Sequence, residues 1–150
     1  MKFITQSKNK NIIKACELAT SVLHNDLFWD SLENIQFDFS NDGNGGKVST
    51  EQLKNLLQNH VTQVEVKTKF FYPWSKVVGV YFGGKEFFTN PKMCPTPHHF
   101  VGNFLHELCH VVDNFVPEYI GHLNNNPKGK ENSAPYWIGR KAKEWSQSGK

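Results

Sequence analysis

Apolar residues near the start of the chain recur at helical spacing. Ile12, Ile13, Cys16, Ala19, Leu23 and Leu27 predict a helix over about residues 8–28. The pattern breaks from Asn34 to Lys47, where Asn41-Asp42-Gly43-Asn44-Gly45-Gly46 is turn chemistry. Ser49 or Thr50 then suits the N-cap of a short helix carrying Leu53, Leu56 and Leu57. From Val61 to Phe88 the character is β: Val64, Val66 and Thr68 alternate with polar positions, and Phe70-Phe71-Tyr72 runs up to Pro73. Val77 to Phe82 reads as a second strand, with Gly83-Gly84 as a hairpin turn into Glu86-Phe87-Phe88. A longer helix is predicted from Pro97 to Phe115, with Thr96 as N-cap, Pro97 in the first turn and Pro117 beyond the end. Asn124 to Lys130 is a polar loop, and a final helix runs from about Ala134 to Trp145. No repeat interrupts the order, so residues 1–150 read as a single α+β domain. Its expected form is a small mixed sheet packed on the Pro97–Phe115 helix, with flanking helices outside.

Composition narrows the class. A chain of 150 residues with 38% hydrophobic and 21% charged positions can bury a core of its own and is not a disordered polymer. Twelve Phe and four Trp make the aromatic content heavy; most of these rings are expected in the core and some along a groove. The formal charge of +3 is concentrated late, in Lys128, Lys130, Arg140, Lys141, Lys143 and Lys150. No aromatic-basic reading motif accompanies these cations, so they read as a solvated helix face and no nucleic-acid partner is expected. Cys16, Cys94 and Cys109 form no disulfide framework. Met1 to Lys14 lacks the apolar core of a secretory signal, and no apolar run approaches the roughly 20 residues of a membrane span. The expectation is a cytoplasmic protein without a membrane partner, although a mature form shorn of its signal would read the same. Nothing in the pattern sets an oligomeric state.

The chemistry concentrates in His106-Glu107-Leu108-Cys109-His110. Histidines four residues apart lie on one face of a helix, one turn from each other, as two ligands of one metal ion must. Zn2+ suits imidazole nitrogens and leaves room for a third protein ligand and a water. Glu107 would sit beside that water and accept its proton, since zinc brings the pKa of bound water to about 7. A helical wheel puts Val101, Phe104, Leu105, Leu108, Val111, Val112 and Phe115 on one apolar face. His106 and His110 lie near the opposite side with His99, Asn103 and Asp113. The helix can therefore pack through one face and aim its imidazoles into a cleft, a separation that an ordinary surface helix would also show. Chance placement of this motif in such a composition is about 2% per chain, so it counts as signal.

The five-residue motif resembles the active-site helix of the zincin metallopeptidases. Ser133-Ala134-Pro135-Tyr136-Trp137-Ile138-Gly139 is similar to a Ser-Val-Pro-Tyr-x-x-Gly segment of small bacterial and phage zincin-like proteins. The resemblance covers roughly residues 74 to 139. It implies a zincin-like fold, one catalytic zinc and hydrolysis of peptide bonds in a peptide or protein substrate, with Glu107 as general base. It also implies an edge strand bordering the cleft, for which Val77 to Phe82 or Lys85 to Phe88 is the candidate. The chain departs from the metzincin pattern where a Gly and a third His would follow: those positions hold Asp113 and Val116. His122, past Pro117, is the preferred third ligand, with Asp113, Glu118 and Glu131 as alternatives. Asp113 more naturally orients one of the histidines from behind. Tyr136 is the candidate to donate a hydrogen bond to the oxyanion, against its reading as a packed aromatic. His99 is a further cleft candidate.

Competing readings are weaker. Asp38 to Glu51 resembles a calcium loop, but anchoring it at Glu51 puts Ser40 where Asp belongs, and anchoring it at Asp38 puts Ser49 where Glu belongs. Cys94, His98 and Cys109 with His106 or His110 would make a structural zinc site, although Pro95 and Pro97 stiffen that segment. Tyr72, Trp74, Phe87 and Phe88 suit either an apolar substrate platform or the core. The rival function is a non-catalytic metal-binding or partner-binding module on the same scaffold.

Overall fold

Lys2–Thr5 (β1) forms a strand in the polar opening segment, where Phe3 alone supplies a buried apolar anchor. The computed structural model describes residues 1–38, 47–69, 71–116 and 133–149. Lys10–Leu23 (α1) starts at Asn9, whose side-chain oxygen accepts from the Asn11 and Ile12 N–H groups. The helix expected to reach residue 28 stops early. Asn25 takes an extended backbone and its amide oxygen accepts from Leu27 and Phe28, opening a second helix, Asp26–Asp30 (α2). The local cap wins over the apolar period. Leu27 is consequently 70% exposed, while Phe28 and Trp29 enter the core.

The segment read as turn from Asn34 to Lys47 contains two further elements. Gln36–Asp38 (β2) and Lys47–Ser49 (β3) pair antiparallel, Phe37 against Val48. The Asn/Gly run between them, and with it most of the calcium-loop reading, lies outside the described residues. Thr50–Asn59 (α3) begins with a capping box: Ser49 Oγ accepts from the Gln52 N–H, and Gln52 Oε1 accepts from the Ser49 N–H. Ser49 is thus the cap. The Thr50 hydroxyl serves elsewhere, donating to the Glu33 carbonyl and accepting from the Ile35 N–H.

Gln63–Thr68 (β4) buries Val64 and Val66, the alternation the sequence shows. It is the second strand of a four-stranded mixed sheet, completed by Gly79–Val80 (β5) and Glu86–Thr89 (β6), in the order β1-β4-β6-β5. The β1–β4 and β4–β6 pairs are parallel; β5 runs antiparallel along β6 at the edge. The strand expected from Val77 to Phe82 is only these two residues long. Val77 and Val78 lie exposed before it, held by fully buried Asn90, whose backbone N–H donates to the Val78 carbonyl and whose amide donates to the Val77 carbonyl. Gly83 and Gly84 both have positive φ, 131° and 71°, and turn the chain into β6 through a connection wider than two residues. Phe71 and Tyr72 are outside any strand, and Tyr72 stacks on Trp74 with centroids 4.9 Å apart; Phe70 lies outside the described residues.

Pro97–Asp113 (α4) carries the motif, and Ala134–Gln147 (α5) packs along it. Thr96 occupies the N-cap position of α4, but its hydroxyl bonds His99 Nδ1 at 2.8 Å rather than the backbone. Phe104 carries α4 onto the sheet, its ring meeting Phe3 and Phe87 at 5.6 and 5.4 Å. Other faces of α4 meet α1 and α5, so the motif helix is central to one continuous core. Phe115, expected on its apolar face, falls beyond the helix end and is exposed. The architecture is α+β, five α-helices on a mixed sheet with a small two-stranded ribbon among the described residues. Cys16, Cys94 and Cys109 are buried free thiols. Among the described residues no helix is long and apolar enough to cross a membrane.

Candidate metal centre

One turn of α4 brings His106 and His110 together. Their Nε2 atoms are 3.2 Å apart, with ring centroids at 5.1 Å and planes at 60°. Two nitrogens each about 2.05 Å from a zinc ion and 3.2 Å apart would subtend about 103° at it, close to the tetrahedral angle of about 109°. The pair therefore fits two corners of a zinc site without moving a helix. Without an ion, the same spacing suits one ring donating to the other. His122, Glu118 and Glu131, three of the candidate third ligands, lie outside the described residues. Asp113 is described, on the last turn of α4. Among the described residues no three His, Cys, Asp or Glu side chains form a metal-holding group. Asp113 thus does not complete the histidine pair, which is what a straight helix does to a residue three positions beyond the second histidine. The rival set of Cys94, His98 and Cys109 is likewise not assembled, and His98 Nδ1 instead bonds the Ser146 hydroxyl on α5 at 3.1 Å.

Glu107 points beneath the edge of the sheet. It is 4% exposed, and burial pushes its carboxyl up to about 7 against an opposing hydrogen bond from Asn103. That bond is oriented from behind. Fully buried Thr89, on β6, donates its hydroxyl to Asn103 Oδ1 at 3.1 Å, leaving the Asn103 amide N–H to face Glu107. Gly79 of β5 closes the same point: a Cβ there would stand 2.6 Å from Asn103 Nδ2 and 3.0 Å from Glu107 Oε1. Gly79→Ala is expected to displace that pair and destabilise the fold by about 1–3 kcal/mol in urea unfolding, the usual cost of overpacking; an unchanged midpoint would show that the two side chains yield freely. Asn103 was visible on the helical wheel. Gly79, Thr89 and Asn90 were not singled out, although a glycine interrupting a Val-rich run is a sign of close approach.

The Ser133 to Gly139 segment has a physical task at each conspicuous position. Pro135 lies in the first turn of α5, and Trp137 and Ile138 are core residues, with the Trp137 ring edge-on to Phe37. Tyr136 stands edge-on to His106, centroids 4.6 Å apart and planes at 84°. Gly139 lets α5 touch α4: a Cβ on it would lie 2.7 Å from the Gly102 carbonyl oxygen, and one on Gly102 would lie 2.8 Å from the Gly139 carbonyl oxygen.

These elements enclose a cleft of about 650 Å³. The α4 wall presents His99, Asn103, His106 and Glu107, and the α5 wall presents Tyr136, Arg140 and Lys143. The third wall is the segment from Lys76 to Gly79 that leads into β5. His99 thus lines the cleft two turns before His106. Arg140 and Lys143, read from sequence among the cations of a solvated face, line it as well. Lys141 points elsewhere, into a hollow beside Phe28 and Trp145. Comparison with family models, with curated proteins and with solved structures gave no match.

Proposed function

We propose that this protein is a zinc-dependent peptidase of zincin-like architecture. The observation that carries this reading is the pair of imidazole nitrogens 3.2 Å apart, His106 of the pair lining an open cleft, with a buried glutamate of raised proton affinity next to it in the chain. His106 and His110 hold the metal, and His122 is proposed as the third donor ahead of Glu118 and Glu131. Bound zinc supplies Lewis acidity toward the water and the scissile carbonyl. Glu107, next to the first ligand in the chain and lining the cleft, would take the proton of the attacking water and later pass it to the departing amine nitrogen. Asn103, braced by Thr89, holds the Glu107 carboxylate in place. Tyr136, whose ring stands edge-on to His106, is proposed to donate its phenol to the developing oxyanion. The outer edge of β5 offers backbone groups to which an extended peptide can pair across the cleft.

The test begins with metal content. Purified protein is expected to retain one zinc ion per chain, and peptide cleavage read by mass spectrometry should stop with a zinc chelator and return with added zinc. His106→Ala and His110→Ala should each lose both zinc and cleavage, and His122→Ala should do so if it is the third donor. Protein that holds no zinc, or cleavage indifferent to the chelator, would sink the proposal. Zinc held tightly without cleavage of any peptide would favour the metal-binding module instead.

A further inference from the structure

Exposed apolar surface is concentrated beside β5. Five of the eight large hydrophobic residues that stand exposed among the described residues are Tyr72, Trp74, Val77, Val78 and Phe82. Trp74 is 75% exposed and Phe82 69%, whereas Phe87 is in the core. Contacts tie the five into one patch along the sheet edge. Tyr72 and Trp74 stack on each other, and the Tyr72 carbonyl accepts from Lys92 Nζ at 3.3 Å. Lys92 closely follows Asn90, which holds Val77 and Val78. Past β5, the Phe82 ring meets Phe88 at 5.8 Å. Phe88, between buried Phe87 and Thr89, faces out of the opposite side of the sheet. Lys69 Nζ stands over both rings and over that of Phe71, the neighbour of Tyr72. The patch is also basic. From Lys67 to Leu105 the chain carries Lys67, Lys69, Lys76, Lys85 and Lys92 against Glu86 alone. Glu86 pairs with Lys67 at 2.6 Å, and Glu65 of β4 also faces that lysine, so the carboxylates of these strands lie inward of the edge. Lys69 and Lys92 make local contacts, with rings and with a carbonyl oxygen, that leave their charge in place.

We infer that this edge is a peripheral docking surface for an anionic lipid bilayer. Exposed aromatic rings and valines interleaved with lysines form the composition that settles at a membrane interface, the rings among the upper acyl chains and the ammonium groups at the headgroups. Shape points the same way. None of Tyr72, Trp74 and Phe82 lines the cleft, Trp74 stands in a turn and Phe82 lies just past β5. Such side chains suit a partner that deforms around them rather than one that fits a groove. A single-stranded nucleic acid is the less favoured occupant: Tyr72 and Trp74 already cover one face of each other, and Val77 and Val78 offer a base nothing to stack on. A second copy would bring lysines against lysines. The lack of a long apolar helix bears on crossing a bilayer, not on lying at its surface, so the expectation of no membrane partner does not extend to peripheral contact. Val77 and Val78 belong both to this patch and to the cleft wall, so docking brings that wall to the lipid. It requires neither zinc nor turnover.

The test is co-sedimentation of the full chain with vesicles made either of phosphatidylcholine alone or of phosphatidylcholine and phosphatidylserine in equal parts. The anionic vesicles should bind about 10-fold more strongly at low salt, the margin narrowing as salt screens the lysines. Trp74→Ala and Phe82→Ala should each weaken that binding about 10-fold, the scale set by burying one large ring. Both side chains are mostly exposed, so their loss leaves the core intact. Leu27→Ala removes a similarly exposed residue on α2, whose neighbours belong to α3 and α5, and should change nothing. Fluorescence adds a reading of position. Trp29 and Trp137 are buried and Trp145 is partly so. Lipids brominated on the upper acyl chain should therefore quench mainly Trp74, and the quenching should vanish in Trp74→Ala. Binding to neither vesicle, equal binding to both, or a loss in Leu27→Ala that matches the loss in Trp74→Ala overturns the inference. A single-stranded oligonucleotide bound more tightly than the anionic vesicles, with the same dependence on Trp74, overturns it in favour of nucleic acid. A dimer in solution that Trp74→Ala dissolves overturns it in favour of a second copy.

Discussion

Glu107→Gln is expected to keep its zinc and to cleave peptides about 10³-fold more slowly, within the range of about 10²–10⁴ that a positioned general base contributes. Glutamine keeps the size of the side chain and an oxygen to accept from Asn103, so the packing under Gly79 survives. What disappears is the capacity to take a proton. Measuring zinc content alongside kcat separates this outcome from a damaged site, because a misfolded variant would lose both. Turnover within about 10-fold of wild type would remove Glu107 from the chemistry.

The same substitution carries a stability signature in chelator-treated protein. The Glu107 carboxyl rises from an ordinary 4.5 to about 7 on burial, so the folded state binds the proton more tightly than the unfolded chain. That preference contributes stability in full below about pH 4.5 and is lost as pH rises through about 7, a change of about 3 kcal/mol. Glutamine cannot ionise. Urea unfolding should therefore find Glu107→Gln gaining on the wild type by about 3 kcal/mol between pH 4.5 and pH 8. A difference between the two proteins that stays constant over that range would mean the carboxyl ionises freely in the fold.

Elements announced by short-range signals were legible in the sequence. The motif helix, its proline start, a helix cap at Ser49 or Thr50 and the Val64/Val66 alternation all follow from neighbours within four residues. What escaped depends on distant partners. β1 has one buried aromatic residue and becomes a strand only because β4, about 60 residues later, pairs with it in parallel. The ribbon of β2 and β3 is three residues on each side, too short to show a period. Asn25 broke the first helix by a cap that competes with an otherwise continuous apolar face. At the site, the histidine pair could be placed from spacing alone. The burial of Glu107 could not, because Gly79 closes over it from the sheet edge and Thr89, on the strand beside, braces its partner Asn103. The place of Arg140 and Lys143 in the cleft wall was hidden for a related reason: a helix face is known to be solvated or cleft-lining only once its neighbour is in place.

Gly139→Val is expected to be among the most damaging single substitutions at the α4–α5 contact. Even an alanine Cβ there meets the Gly102 carbonyl oxygen at 2.7 Å, and a backbone atom cannot swing aside as a side-chain tip can. The helices must separate, which strips contacts from Trp137 and Ile138 and draws Tyr136 away from His106. Overpacking of this kind costs about 1–3 kcal/mol, and valine adds its own helix penalty of several tenths to the alanine case, offset by what glycine loses in a helix. The expected readouts are a lower urea midpoint and a lower kcat in the same variant. The pairing of the two glycines supplies a sharper check. Gly102→Ala collides with Gly139 from the other side at 2.8 Å, so the separation forced by one substitution already relieves most of the other. Gly102→Ala/Gly139→Ala should therefore be destabilised by clearly less than the sum of the two single variants. Strict additivity would mean that the two clashes are resolved independently, and that this crossing does not govern where Tyr136 stands.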